Sequence, residues 1–190
     1  MPILILTCAG LAAALVALAT VAGVAWQGSA LRSCWLLALA GLSQAALIYG
    51  YPLPGGPLAG LILALAWALR NRALPGSGWL IAGLLANGLA MAANGGTMPL
   101  APHVAEALGV AGQAHGLLAG SKDSVGTAGP LVWLADWIVL RTPWATWVAS
   151  PGDFAILAAL VRWGLAQRLE ARGLRLGRGS AEARGLRLEA

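Results

Sequence analysis

Charge is what this sequence has least of. Only 10% of its 190 residues are charged, against 59% hydrophobic, and the mean hydropathy is +0.76. A soluble domain carries about 25% charged residues, because its surface must be wetted. Twelve basic and seven acidic side chains fall far short of that. The deficit excludes an ordinary cytosolic enzyme, a disordered chain and a nucleic-acid-binding domain. Lysine is almost absent: Lys122 stands alone beside eleven arginines. Cysteine is sparse as well, with Cys8 and Cys34. The topology expected below puts them near opposite faces of two antiparallel helices, roughly 20 Å apart by helix rise. A disulfide needs Cα atoms within about 7 Å, so both are expected as free thiols. No metal-ligand spacing surrounds them or the two histidines, and no metal or cofactor is expected. No basic residue precedes Arg32, so residues 3–26 read as a retained membrane helix rather than a signal peptide.

What is present is apolar length. A membrane core of about 30 Å takes roughly 17–25 apolar residues. Five segments are expected to span it: Ile3–Trp26, Ser33–Tyr49, Leu58–Leu69, Gly78–Ala93 and Ser150–Arg168. No charge occurs between Arg32 and Arg70, and the cluster Tyr51-Pro52-Leu53-Pro54-Gly55-Gly56-Pro57 breaks that stretch in two. Seven of the basic residues lie at Arg162 and beyond, and the loops before the second and fourth spans carry Arg32, Arg70 and Arg72. The positive-inside rule then puts the N-terminus outside and the C-terminus in the cytoplasm of a bacterial inner membrane. The expected fold is all-α, a polytopic bundle of five transmembrane spans. One transmembrane domain would cover residues 1–172, and residues 173–190 would form a basic cytoplasmic tail. The expected partners are the lipid bilayer, a membrane protein or a second copy of the chain, with no nucleic acid.

Residues 94–149 break the pattern. They hold both histidines, His103 and His115, with Glu106, Lys122, Asp123, Asp136 and Arg141. Trp133, Trp137 and Leu140 recur at helical spacing, followed by Trp144 and Trp147. Tryptophan favours the headgroup level, so this segment is expected to form a short interfacial or re-entrant helix between spans four and five.

Polar residues gather at the level assigned to the outer interface. Asn94-Gly95-Gly96-Thr97-Met98-Pro99 reads as a helix stop, with glycines in the left-handed conformation. Asn87 lies two turns earlier, where it could bond a neighbouring helix. Ser150-Pro151-Gly152-Asp153 has the form of a capping box with proline at the first helical position. Asp136 could pair with Lys122 or Arg141. If Asp136 and Asp153 met, they would share a proton, and such a dyad could activate water with one carboxylate and protonate a substrate with the other. The candidate catalytic residues are therefore Asp136 and Asp153. The candidate polar cluster is Asn87, Asn94, Gly95, Gly96, His115 and Ser150, and burial cost favours its convergence with the aspartates.

The ordered set Asn87, Asn94-Gly95-Gly96-x-Met98-Pro99, His115, Leu134-x-Asp136 and Ser150-x-Gly152-Asp153 resembles an uncharacterised bacterial multi-pass membrane family. Residues 131–160 are also similar to the C-terminal end of lipoprotein signal peptidases. That likeness implies catalytic roles for Asp136 and Asp153. Ser150 and Gly152 depart from the peptidase pattern, which has Asn and Ala there, and its upstream Gly-Asn-x-x-Asp-Arg segment is missing.

Three readings stand at this point. One is an integral membrane protein acting as an accessory or assembly component. The second is a small-molecule or lipid binding or transport subunit. The third is an intramembrane hydrolase built on the two aspartates.

Overall fold

The computed structural model describes residues 31–171, apart from 50, 52–54, 113–115, 119–120, 127–128 and 144–145. The first expected span, Cys8, His115, Trp144 and the tail beyond Ala171 lie outside the described residues. Four helices form where apolar runs are long and free of proline beyond the first turn: α1 (Trp35–Ile48), α2 (Gly56–Arg70), α3 (Ser77–Ala93) and, after the mixed segment, the last helix at Pro151–Ala171. Each buries a stripe at helical period. In α3 the stripe is Gly83, Leu84, Asn87, Ala90 and Met91; in the last helix it is Gly152, Ile156, Ala159 and Trp163. These are the i, i+3, i+4, i+7 positions of one helix face.

Proline and glycine set the boundaries. Pro57 sits in the first turn of α2 behind Gly55, whose φ of 69° is left-handed. At the end of α3, Gly96 N–H donates to the Met91 carbonyl at 2.8 Å, with Gly95 and Gly96 at φ 70° and 87°. This is a glycine-closed helix end, and the side-chain amide of Asn94 adds a bond to the Ala90 carbonyl at 2.7 Å. Asn71 closes α2 differently. Its side chain accepts from Arg32 N–H at 2.9 Å and donates to the Arg32 carbonyl at 3.0 Å and the Trp67 carbonyl at 2.9 Å. It thereby ties the residues before α1 to the end of α2.

The helices form a row in which α1 packs on α2, α2 on α3, and α3 on the last helix. Leu36, Trp67, Ala68, Leu84, Ile156 and Trp163 make its core. Residues 94–149 form a mixed cap. β1 (Met98–Pro99) pairs in parallel with β3 (Asp123–Val125), and β2 (Gly116–Leu117) pairs antiparallel on its other side. A short helix, α4 (Pro102–Ala107), follows β1. β4 (Ile138–Arg141) and β5 (Thr146–Ala149) form an antiparallel ribbon that leads into the last helix, α5 (Pro151–Ala171). Ala90, Met91, Met98 and Ala135 join row to cap.

Two expectations are corrected here. The chain is not a polytopic all-α transmembrane bundle: it has two small sheets, and no helix among the described residues is long and apolar enough to cross a membrane. The reason is length and charge. At about 1.5 Å per residue, α1, α2 and α3, with 14, 15 and 17 residues, reach roughly 21–26 Å of the 30 Å needed. α5 has 21 residues but carries Asp153, Arg162, Arg168 and Glu170. The multi-pass description falls with the bundle. The interfacial helix over 130–140 is also absent. Val132–Leu134 make one 3-10 turn entered from Leu131 at φ 61°, and Ile138–Arg141 is strand. Ile138 and Val139 face Ala149 and Val148 across the ribbon. Such β-branched residues fit a paired, half-buried strand better than a helix turn.

α3 and α5 touch backbone to backbone. A Cβ on Gly83 would lie 2.5 Å from the Gly152 carbonyl, and one on Gly152 would overlap the Asn87 side-chain oxygen. Overpacking of this kind costs about 1–3 kcal/mol. Gly152→Ala and Gly83→Ala are each expected to lower stability by at least that much in denaturant titration in mild detergent. Gly41→Ala, which meets nothing within 4 Å, is expected to be neutral or slightly stabilising.

Candidate functional site

The close approach at Gly83 and Gly152 puts the middle of α3 against the start of α5, and three polar side chains fill the contact. Ser150 and Asp153 form a reciprocal capping box: Asp153 N–H donates to Ser150 Oγ at 3.1 Å, and Ser150 N–H donates to Asp153 Oδ2 at 3.0 Å. Asn87, one helix away, closes the triangle. Its Nδ2 donates to Asp153 Oδ1 at 2.9 Å, and its Oδ1 accepts from Ser150 Oγ at 2.7 Å. All three are buried, at 1%, 0% and 3% exposure for Asn87, Ser150 and Asp153. Both oxygens of Asp153 are thus occupied as acceptors.

A second cluster is centred on Lys122. Its Nζ donates to Asp136 Oδ2 at 2.7 Å and to Asp123 Oδ1 at 3.1 Å. Ser121 Oγ donates to Asp123 Oδ2 at 2.7 Å. β3 carries Asp123 beside β1, while an isolated parallel bridge between Leu100 and Asp136 brings Asp136 to the chain that continues β1. Ala101 N–H donates to the Asp136 carbonyl at 3.2 Å. Asp123 and Asp136 are fully buried, and Lys122 nearly so.

The electrostatics join the two clusters. Burial works against the Lys122 ammonium, but Asp123, Asp136 and Asp153 together outweigh it and hold its pKa above the ordinary lysine range. Asp136 is raised as well, which for an acid disfavours the charged form. Burial pushes its carboxyl up to about 8; Lys122 opposes this, and Asp123 and Asp153 add to it. Both shifts describe one charge balance: a single ammonium serves three carboxyls and stays charged, and Asp136 is the acid whose ionised form is disfavoured. Asp136 Oδ1 is buried with no hydrogen-bond partner.

Of the residues singled out in the sequence, Asn87, Ser150 and Asp153 come together by direct bonds, while Asp136 bonds Lys122 in the second cluster. Asp136 and Asp153 share no hydrogen bond among those described. Asn94 does not join: its amide bonds the Ala90 and Pro130 carbonyls, because it serves the end of α3. Gly95 and Gly96 belong to that same helix end. His103 meets the Trp137 carbonyl through Nε2 at 2.8 Å on the surface. His115 lies outside the described residues. Among the described residues no group of three or more His, Cys, Asp or Glu could hold a metal ion. Sequence reasoning offered Lys122 as one of two partners for Asp136, and the structure selects it; Asp123 is the member that reasoning passed over. The signal for the pair was the lone lysine, next to an aspartate, in a chain whose other cations are all arginine.

A model for a family of unknown function, DUF5317, matches residues 56–163. The chain belongs to this family. The match runs from the start of α2 into α5, so it covers both clusters and the whole cap. No curated protein and no solved structure matches the chain.

Removing one member of a buried ion cluster strands its partners, at about 3–5 kcal/mol, whereas replacing both charges with apolar groups is far milder. Lys122→Met is therefore expected to destabilise DUF5317 proteins of this sequence severely. Lys122→Met combined with Asp123→Leu should recover part of the loss, read as a non-additive double-mutant cycle. Ser150→Ala removes a cap and leaves Asn87 Oδ1 unpaired, for roughly 1–3 kcal/mol.

Proposed function

We propose that this chain is a non-catalytic accessory protein of the bacterial cytoplasmic membrane. Its helix row beds against lipid, and the buried polar clusters serve as a clasp for the cap. The observation that carries this reading is the outer surface of the row. α5 exposes Phe154, Leu157, Val161 and Leu165, α1 exposes Trp35, Leu39 and Leu42, and α3 exposes Trp79, Leu85 and Leu89. Contiguous apolar stripes of this extent mark interaction or membrane surfaces.

The two ends of the row differ in a way that suits lipid. Arg32, Arg70, Arg72, Arg162 and Arg168 are all exposed at or toward one end. Tyr49, Tyr51, Trp133 and Trp137 are exposed toward the other, where Gly96 lies near Gly55 and Leu58. Basic residues suit anionic headgroups, and Trp and Tyr suit an interface. The motifs Asn94-Gly95-Gly96-x-Met98-Pro99, Leu134-x-Asp136 and Ser150-x-Gly152-Asp153, taken as marks of a membrane family, fit the same proposal.

Hydrolysis has weaker support. A working dyad needs two carboxyls that meet and are open to water. Asp153 is taken up by Asn87 and its own helix cap, and Asp136 by Lys122. The engagement of these oxygens favours a structural role for both.

The test is flotation. Protein exchanged from detergent into phosphatidylcholine vesicles containing phosphatidylglycerol is expected to float with them and to stay bound in alkaline carbonate. Leu157→Gln with Val161→Gln should weaken this. Arg162→Gln with Arg168→Gln should lower affinity for anionic vesicles by roughly thirtyfold, at about 1 kcal/mol per basic side chain. Protein that is monodisperse without detergent and remains at the bottom of the gradient would refute the proposal.

A further inference from the structure

Two acidic side chains bond one cation in the closed interior, and a third acts on it electrostatically. Lys122 holds Asp123 at 3.1 Å and Asp136 at 2.7 Å, and Asp153 lies within the same field. With all four ionised, the interior would carry two surplus negative charges. Other titratable groups on neighbouring elements point outward: His103 and Glu106 on α4, and Arg141 on β4, are exposed. α3 contributes Asn87, which cannot titrate. Lys122 is thus the one cation facing Asp136 among the described residues.

An unpaired carboxylate oxygen in a dry interior is far more costly than an unpaired neutral hydroxyl. Asp136 Oδ1 is that oxygen, unpartnered on a side chain with no exposure. We propose that Asp136 Oδ1 is a proton-binding site, and that the bound proton locks the cap by letting the strand at Asp136 stay closed on Leu100 and Ala101. The proton adds to Oδ1 while Oδ2 keeps the Lys122 ammonium, so the interior loses one surplus charge and breaks no bond. When the proton leaves, repulsion from Asp123 and Asp153 acts on the residue whose carbonyl receives Ala101 N–H.

The direction with pH follows from linkage. The carboxyl is raised to about 8 in the folded chain from 3.8 as its ordinary value. The folded state therefore binds more protons than the unfolded state between these values, and stability falls as pH rises through that window. The contribution is complete below the lower value and gone above the upper one.

The experiment uses the full chain in mild detergent. Unfolding is followed from pH 5 to pH 9 for wild type, Asp136→Asn and His103→Gln. Wild type should lose stability with rising pH, releasing roughly one proton on unfolding near pH 6. Asp136→Asn should flatten that slope, and His103→Gln should leave it in place. Exchange of the Ala101 amide, corrected for intrinsic rate, should accelerate above pH 8 in wild type only. Infrared difference spectra of wild type should show a protonated carboxyl stretch at pH 6 that vanishes by pH 9. That measurement stands even if Asp136→Asn fails to fold. A wild-type slope equal to that of Asp136→Asn, a slope abolished by His103→Gln, or no protonated carboxyl at pH 6 would each overturn the proposal.

Discussion

The contact between Gly83 and Gly152 brings two helix backbones together with no side chain between them, and the polar interior depends on it. Only because α5 starts against the middle of α3 can Asn87 reach both Ser150 and Asp153. The capping box alone would satisfy the first turn of α5. The amide of Asn87 converts a local helix start into a link between residues more than sixty positions apart. A side chain on either glycine would push the helices apart and strand three buried polar groups at once. The constraint is therefore steric in origin and electrostatic in consequence.

Above that contact, Lys122 holds the cap. Its partners come from β3 and from the strand that bridges to Leu100, so one ammonium joins two pieces of irregular chain that share little regular pairing. Sheets of two or three residues per strand have little intrinsic stability. An ion cluster adds directional demand, since few other arrangements of these residues would satisfy both Asp123 and Asp136.

Much of the helical layout was legible in the sequence. The apolar runs at 33–49, 58–69, 78–93 and 150–168 coincide closely with α1, α2, α3 and α5, because proline, glycine and charge mark their ends. Their role was not legible. A hydropathy pattern suited to a membrane span is shared by a short helix that packs on neighbours, and α3, at 17 residues, sits at the lower bound where the two cannot be told apart by length. The cap was misread because Trp133, Trp137 and Leu140 repeat at helical spacing, while Ile138, Val139, Thr146 and Val148 vote for strand. Pairing across the local ribbon, between residues 5 to 11 positions apart, decided between them. Within the site, Ser150 and Asp153 were readable as a box since their bonds are local. Burial cost grouped Asn87 with Ser150 and Asp153, and Lys122 was one of two partners offered for Asp136; the choice between Lys122 and Arg141, and the part played by Asp123, came only with the folded contacts.

The solitary lysine gives the protein an unusual chemical handle. Apart from any free N-terminal amine, Lys122 is the chain's one primary amine, and it is charged and shut inside the cap. Amine-directed acylation of the side chain requires both exposure and loss of the proton, so it reports only molecules in which the cap has come away. A protease that cuts after lysine likewise has a single bond to cut, between Lys122 and Asp123, and it parts the ammonium-bearing residue from both of its ionic partners. The rate of that one cleavage reports the population with the cap open, and becomes the opening rate itself when protease is abundant enough to outpace reclosing.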